Sequence, residues 1–214
     1  QPFATPATSW VTQLMEGDHW IPGPADRIAG VINGAQGGTT LHPVTLIGDR
    51  QPDLRSQISN FIAAHGAPQH AILIAGSVDL IFKVVLNVNL PLATYQNDYI
   101  DITQWLQDAG VDVHWVLMAP VTDWSVTAPV NWMRMEPNAW LRTSGLPIID
   151  CEASLIDHTG LWLREDYVVT GVEPPDGVHV NAAGATAHAT CIAGRMGLQV
   201  KEPDPLVTST TVTP

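Results

Sequence analysis

At 214 residues the chain is long enough for one domain with a substantial core, and 45% hydrophobic against 14% charged residues excludes a disordered chain. A formal net charge of −12, with no basic cluster to offset it locally, excludes nucleic acid as a partner, because phosphate backbones would be repelled. No apolar run reaches the roughly 18 to 20 residues that a membrane span requires.

The first predicted element is a helix over residues 9–16, with Trp10, Val11 and Leu14 on one face and Thr8 or Ser9 as N-cap. A short strand is predicted over 27–33. It runs into Asn33-Gly34-Ala35-Gln36-Gly37-Gly38-Thr39-Thr40, whose glycines permit positive φ and let a backbone N–H face a ligand. Val44 to Arg50 reads as a strand or loop ending in a turn at Gly48-Asp49-Arg50. Residues 51–65 form a helix with Leu54, Ile58, Phe61 and Ile62 at helical spacing. The uninterrupted apolar run 71–76 suits a central parallel strand covered on both faces.

A second long helix is predicted over 92–109, with Tyr95, Tyr99, Ile102 and Leu106 as its buried stripe and Gly110 closing it. Strands follow over 111–118 and 147–150, and a last helix over 181–196 is rich enough in alanine to lie close against a sheet. Strands alternating with helices imply right-handed crossovers and an open, mostly parallel sheet, an α/β fold in three layers. Residues 1–200 form the domain. Beyond them, 201–214 leaves the compact pattern as an extended tail whose prolines mark a linker and whose stretch 206–213 has β propensity.

The most informative stretch is Pro175-Asp176-Gly177-Val178-His179-Val180-Asn181-Ala182-Ala183-Gly184. A histidine that takes a proton from a nucleophile needs a carboxylate on its other ring nitrogen, and Asp176 stands three residues before His179. With Asn181 and Gly184 behind it, this segment resembles the last sequence block, D-x-x-H, of the SGNH (GDSL-type) esterases and lipases. The resemblance implies a three-layer, flavodoxin-like α/β/α sandwich. It places an oxyanion donor at Gly38 and the third block at Gly76-Ser77-Val78-Asp79, with a structural role for Asp79, bonding backbone in the loop. Val78 stands where the family has asparagine, and a valine offers no side-chain donor; losing one such donor costs about 2.7 to 4 kcal/mol of transition-state stabilisation.

The first block of that family, G-D-S-x-x, finds no match ahead of the 9–16 helix, and Ser77 is not set in a G-x-S-x-G elbow. The catalytic set is therefore degenerate: Asp176 and His179 without a serine, Gly38 as oxyanion donor, and Ser77, Val78 and Trp124 as candidates for contact with a ligand. Trp124, Trp132 and Trp140 fall where such folds surround their cleft, and they read either as core cover or as stacking platforms for sugar rings. His188 is expected at the surface or half-buried. The dispersed histidines suggest no metal site and no cofactor is implied. Cys151 and Cys191 read either as a disulfide or as two buried thiols.

In the family's strand order, 2-1-3-4-5, the serine-bearing strand is flanked on both sides, so its slot calls for a filler. A cleaved N-terminal peptide, the rerouted 44–48 stretch, or the 206–213 tail of this or a neighbouring chain would each serve. A start at Gln1 suggests processing of a longer precursor. The expected function is a non-catalytic SGNH-like module, a structural, attachment or glycan-binding component of an extracellular or virion assembly. The alternative is a serine esterase or acetylhydrolase whose nucleophile precedes Gln1.

Overall fold

The computed structural model describes residues 20–21, 39–46, 49–50, 53–88, 90–123, 128–169, 177–197 and 199–200. The expected 9–16 helix, 27–33 strand and 201–214 tail lie outside these residues, as do Gly38, Trp124 and Asp176. The centre is a parallel three-stranded sheet of β4 (His70–Leu73), β5 (Asp112–Val116) and β6 (Ile148–Ile149), in that spatial order. The register sets His70 opposite Asp112, Ile72 opposite His114, and Trp115 opposite Ile148. Two short antiparallel pairs accompany it, β1 (Trp20–Ile21) with β7 (Gln199–Val200), and β2 (Thr45–Leu46) with β3 (Asp49–Arg50).

Because strand side chains alternate, β5 divides the core in two. Val113 and Trp115 belong to one face, and there they meet the Tyr95, Tyr99, Ile102 and Leu106 stripe of α3 (Leu92–Asp108). Thr103 accepts the Trp115 indole N–H at 2.7 Å, and the Tyr99 ring meets Trp115 edge-on at 4.5 Å. On the other face Ile72, Ile74, Val116 and Ile149 pack against Ile192 and Met196 at the end of α5 (Ala182–Arg195). Helices thus cover both faces, which is the three-layer α/β arrangement that the strand and helix alternation predicts. No described helix is long and apolar enough to cross a membrane.

The helix boundaries have local causes. Asp53 precedes α1 (Leu54–His65) and accepts the Ser56 N–H at 2.9 Å, while Gly66, at φ 83, turns the chain out of it. The side chain of Asn181 accepts the Gly184 N–H and opens α5. At Gly184 the helix passes so close to its neighbours that a Cβ would lie 2.8 Å from Val180 Cβ and 2.9 Å from Tyr167 Cβ, so only glycine fits.

That close approach also corrects the expectation for His188. It lies one turn beyond Gly184 on the stripe with Ala185, Ala189 and Ile192 and is only 4% exposed. The thiols are settled as well: Cys151, just after β6, is bridged to Cys191 of α5, the two lying 40 residues apart in sequence and 5.8 Å apart at Cα.

Candidate functional site

Loops gather at the carboxyl ends of the parallel strands, the edge where open α/β sheets bind ligands. Beyond β4 the chain reaches Gly76, whose φ of 96 is left-handed and whose missing Cβ leaves room for Met118 Sδ and Tyr99 Oη. From there α2 (Ser77–Leu86) begins, with half-buried Ser77 and Val78 in its first turn. The next residue, Asp79, is fully buried and reaches to the loop that follows the glycine block. Its carboxylate accepts the Leu41 N–H at 2.7 Å and the His42 N–H at 2.9 Å. Thr39 to His42 are thereby fastened to the start of α2, as the resemblance implies for Asp79. In the same loop His42 Nδ1 and Asp98 Oδ2 of α3 lie 2.9 Å apart.

Beyond β5 the chain leaves the sheet, yet its peptide groups stay paired. Two carboxamides of α4 (Pro129–Thr143) do this: Asn138 accepts the Met118 N–H and donates to its carbonyl, both at 3.1 Å, and Asn131 does the same for Val121, at 2.9 and 2.6 Å. Thr122 then donates its N–H to the Gly177 carbonyl at 2.8 Å, which draws the D-x-x-H segment onto this rim. Its own side chain is 2% exposed, and the Oγ1 has no hydrogen-bond partner among the described residues.

His179 is exposed, two residues beyond Gly177, on a segment pinned again where the Asn181 N–H donates to Tyr167. The pairing of His179 with Asp176 falls outside the described residues, as do the roles of Gly38 and Trp124. The other tryptophans divide. Trp140 packs on the Tyr99 side of the core, whereas Trp132 in the first turns of α4 is 61% exposed and stands edge-on to Trp162 at 6.1 Å. Trp162 is on this rim too, since the following residue, Leu163, donates its N–H to Val121.

The structure thus groups Ser77 and Val78 with the 39–42 loop, and His179 with Thr122; Gly76 against Met118 joins the two halves. Two clefts on the surface lie elsewhere, one lined by Leu80, Tyr95 and Met133 and the other by Arg55, Ser59 and Trp105, so neither is the site that the loops build. Sequence reasoning missed Thr122, Asn131 and Asn138. The available signal was the polar series Asn131, Arg134, Asn138 at spacings of three and four, one face of a helix among Val130, Pro137 and Leu141.

Burial pushes the Asp79 carboxyl up to about 6, against the backbone N–H groups of His42, Leu41 and Asp79 itself and with Asp98 adding to the rise. Burial likewise raises Asp98, partly offset by His42, and pushes His188 down to about 4. The two large shifts act on stability with opposite sign. His188 takes up its proton more readily when unfolded, so its contribution is complete above about pH 6.5 and is lost as pH falls towards 4, a change of about 3 kcal/mol. Asp79 holds its proton more tightly when folded, so its contribution is present at low pH and is lost as pH rises from about 4 to 6. A His188→Leu variant is therefore expected to gain on the parent by about 3 kcal/mol between pH 6.5 and 4, read from urea unfolding at a series of pH values. A difference that stays constant with pH would refute the shift.

No family model matches the chain, and no curated protein matches its sequence. Among solved structures, it is similar to a carbohydrate acetylesterase family member from Sinorhizobium meliloti, with a TM-score of 0.58 and 12% identity over 91% of this chain and 89% of the other. The acetyl xylan esterase AlAXEase matches with a TM-score of 0.52 and 16% identity over 74% and 77% of the two chains. The C-terminal domain of Drosophila Oskar matches with a TM-score of 0.51 and 19% identity over 66% and 69%. Of the related OSK domain of Oskar, the chain spans 61%.

Proposed function

From the SGNH hydrolase fold that this chain has, we propose a non-catalytic module that holds carbohydrate on its strand-end rim, as a structural or attachment component of an extracellular or virion assembly. The observation that carries it is Val78, in the first turn of α2, which by the resemblance stands where the family has an asparagine; a valine there offers no donor for acyl transfer. The Trp132–Trp162 pair, with Trp132 exposed and Trp162 half-buried, supports a sugar ligand, since sugar ring faces stack on aromatic surfaces. The names of two structural neighbours, a carbohydrate acetylesterase family member and an acetyl xylan esterase, point to the same ligand class. The Cys151–Cys191 bridge supports an oxidising compartment.

A second reading keeps the chemistry. The Asp79 clamp on Leu41 and His42 is the backbone contact that the resemblance implies, and a nucleophile supplied by a segment ahead of Gln1, or by a neighbouring chain filling the serine strand, would make His179 a general base oriented by Asp176. One experiment separates the two. The purified chain is expected to leave p-nitrophenyl acetate unhydrolysed and to be retained on one of a panel of insoluble polysaccharides, with Trp132→Ala weakening retention about tenfold, or some 1.4 kcal/mol. Ester turnover that disappears in His179→Ala would replace the first reading with the second.

A further inference from the structure

We infer that His70, Asp112 and His114 form a binding site for a divalent transition-metal ion, of the zinc, nickel or copper class, at the strand-start rim. This rim is the end of the sheet opposite His179. Parallel pairing sets His70 beside Asp112, and the two-residue strand period brings His114 to the same face. Each imidazole directs a nitrogen at one and the same carboxylate oxygen: His70 Nδ1 and His114 Nε2 both lie 3.0 Å from Asp112 Oδ2. One potential ligand atom from each of the three residues falls within 4.8 Å of the others.

Those spacings suit an ion. Ligand atoms about 2.1 Å from a shared metal lie about 3.0 Å apart at right angles and about 3.4 Å apart at the tetrahedral angle that zinc prefers. Small rotations of these solvent-accessible side chains would bring the second imidazole nitrogen to the same distance. Two imidazoles with one carboxylate is a donor set for zinc, copper or nickel, whereas calcium and magnesium require more oxygen ligands. Water completes the coordination on the open side, and the −12 charge of the chain favours cation uptake. An ion would also tie the start of β4 to that of β5, as a structural clip away from the ligand rim.

Zinc chloride titrated calorimetrically into the chelator-stripped chain is expected to saturate at one ion per chain. His70→Asn and Asp112→Asn change exposed side chains, and each is expected to weaken binding about tenfold or more while leaving the circular dichroism of the fold unchanged. Cobalt(II) should give visible absorption bands with the parent and lose them with both variants. Absence of saturable zinc binding, or saturation unaltered in His70→Asn and Asp112→Asn, would overturn the site. Neither result bears on carbohydrate retention or ester hydrolysis at the other rim.

Discussion

Replacing Arg134 by alanine is expected to cost about 3 to 5 kcal/mol of folding stability, the range for breaking a buried ion pair by removing one partner. Arg134 is 1% exposed and lies on the buried face of α4. Its Nε donates to Asn131 Oδ1 at 2.9 Å, one terminal nitrogen donates to Glu152 Oε1, and the other to the Leu161 carbonyl at 3.0 Å. Burial, with Arg142 nearby, pushes the guanidinium down to about 10, so it remains charged at neutral pH. Truncation strands the Leu161 carbonyl, takes from Asn131 Oδ1 one of its two donors, and leaves the Glu152 carboxylate only Arg142. The loss falls on the joint between α4, the turn after β6 and the loop bearing Trp162. Urea midpoints at unchanged m-value would measure it, and a loss under about 1 kcal/mol would refute the role of the network. Lysine cannot reach three partners at once and is expected to recover only part of the loss.

The second large effect is that of the disulfide. Opening Cys151–Cys191 is expected to lower stability by about 4 kcal/mol, from the loop-closure entropy that a bridge across 40 residues removes from the unfolded chain. Residual order in the reduced, unfolded chain would make the measured loss smaller. Denaturation with and without a phosphine reductant, compared with the double variant Cys151→Ala and Cys191→Ala, should agree. Equal midpoints in oxidised and reduced protein would show that the packing of Val116, Ile149 and Ile192 around the bridge suffices alone.

The parts of the sequence that read most plainly are those with one dominant signal. The α3 stripe Tyr95, Tyr99, Ile102, Leu106 has strict helical spacing, and all four residues are buried. The third strand stood out as an apolar run, although the described strand closes at Leu73 and the remainder becomes the approach to Gly76. Helices α2 and α4 were not foreseen. In α2 the segment Ser-Val-Asp-Leu-Ile-Phe-Lys-Val-Val-Leu is rich in β-branched residues, and it is opened by a left-handed glycine rather than a capping side chain. In α4 the interior Pro137 and two asparagines oppose helix propensity, and the tertiary pairing of those asparagines overrides it.

The site was legible as far as local spacing reached. The Asp79 clamp follows from a sequence block, whereas Thr122, the Arg134 network and the His70, Asp112 and His114 cluster join residues that only the sheet register or helix packing brings together. The disulfide was open to two readings because nothing in the spacing of Cys151 and Cys191 shows that α5 crosses the end of β6.

The paired carboxamides of Asn131 and Asn138 carry a consequence for molecular recognition. By pairing both peptide groups of Met118 and of Val121, they hold the main chain there before any guest arrives. A guest arriving at this rim would then meet a platform whose ordering entropy was already spent during folding, and its grip would depend on fit rather than on tightening a slack loop. Aspartate at either position would keep the acceptor but lose the donor, leaving that platform to rattle.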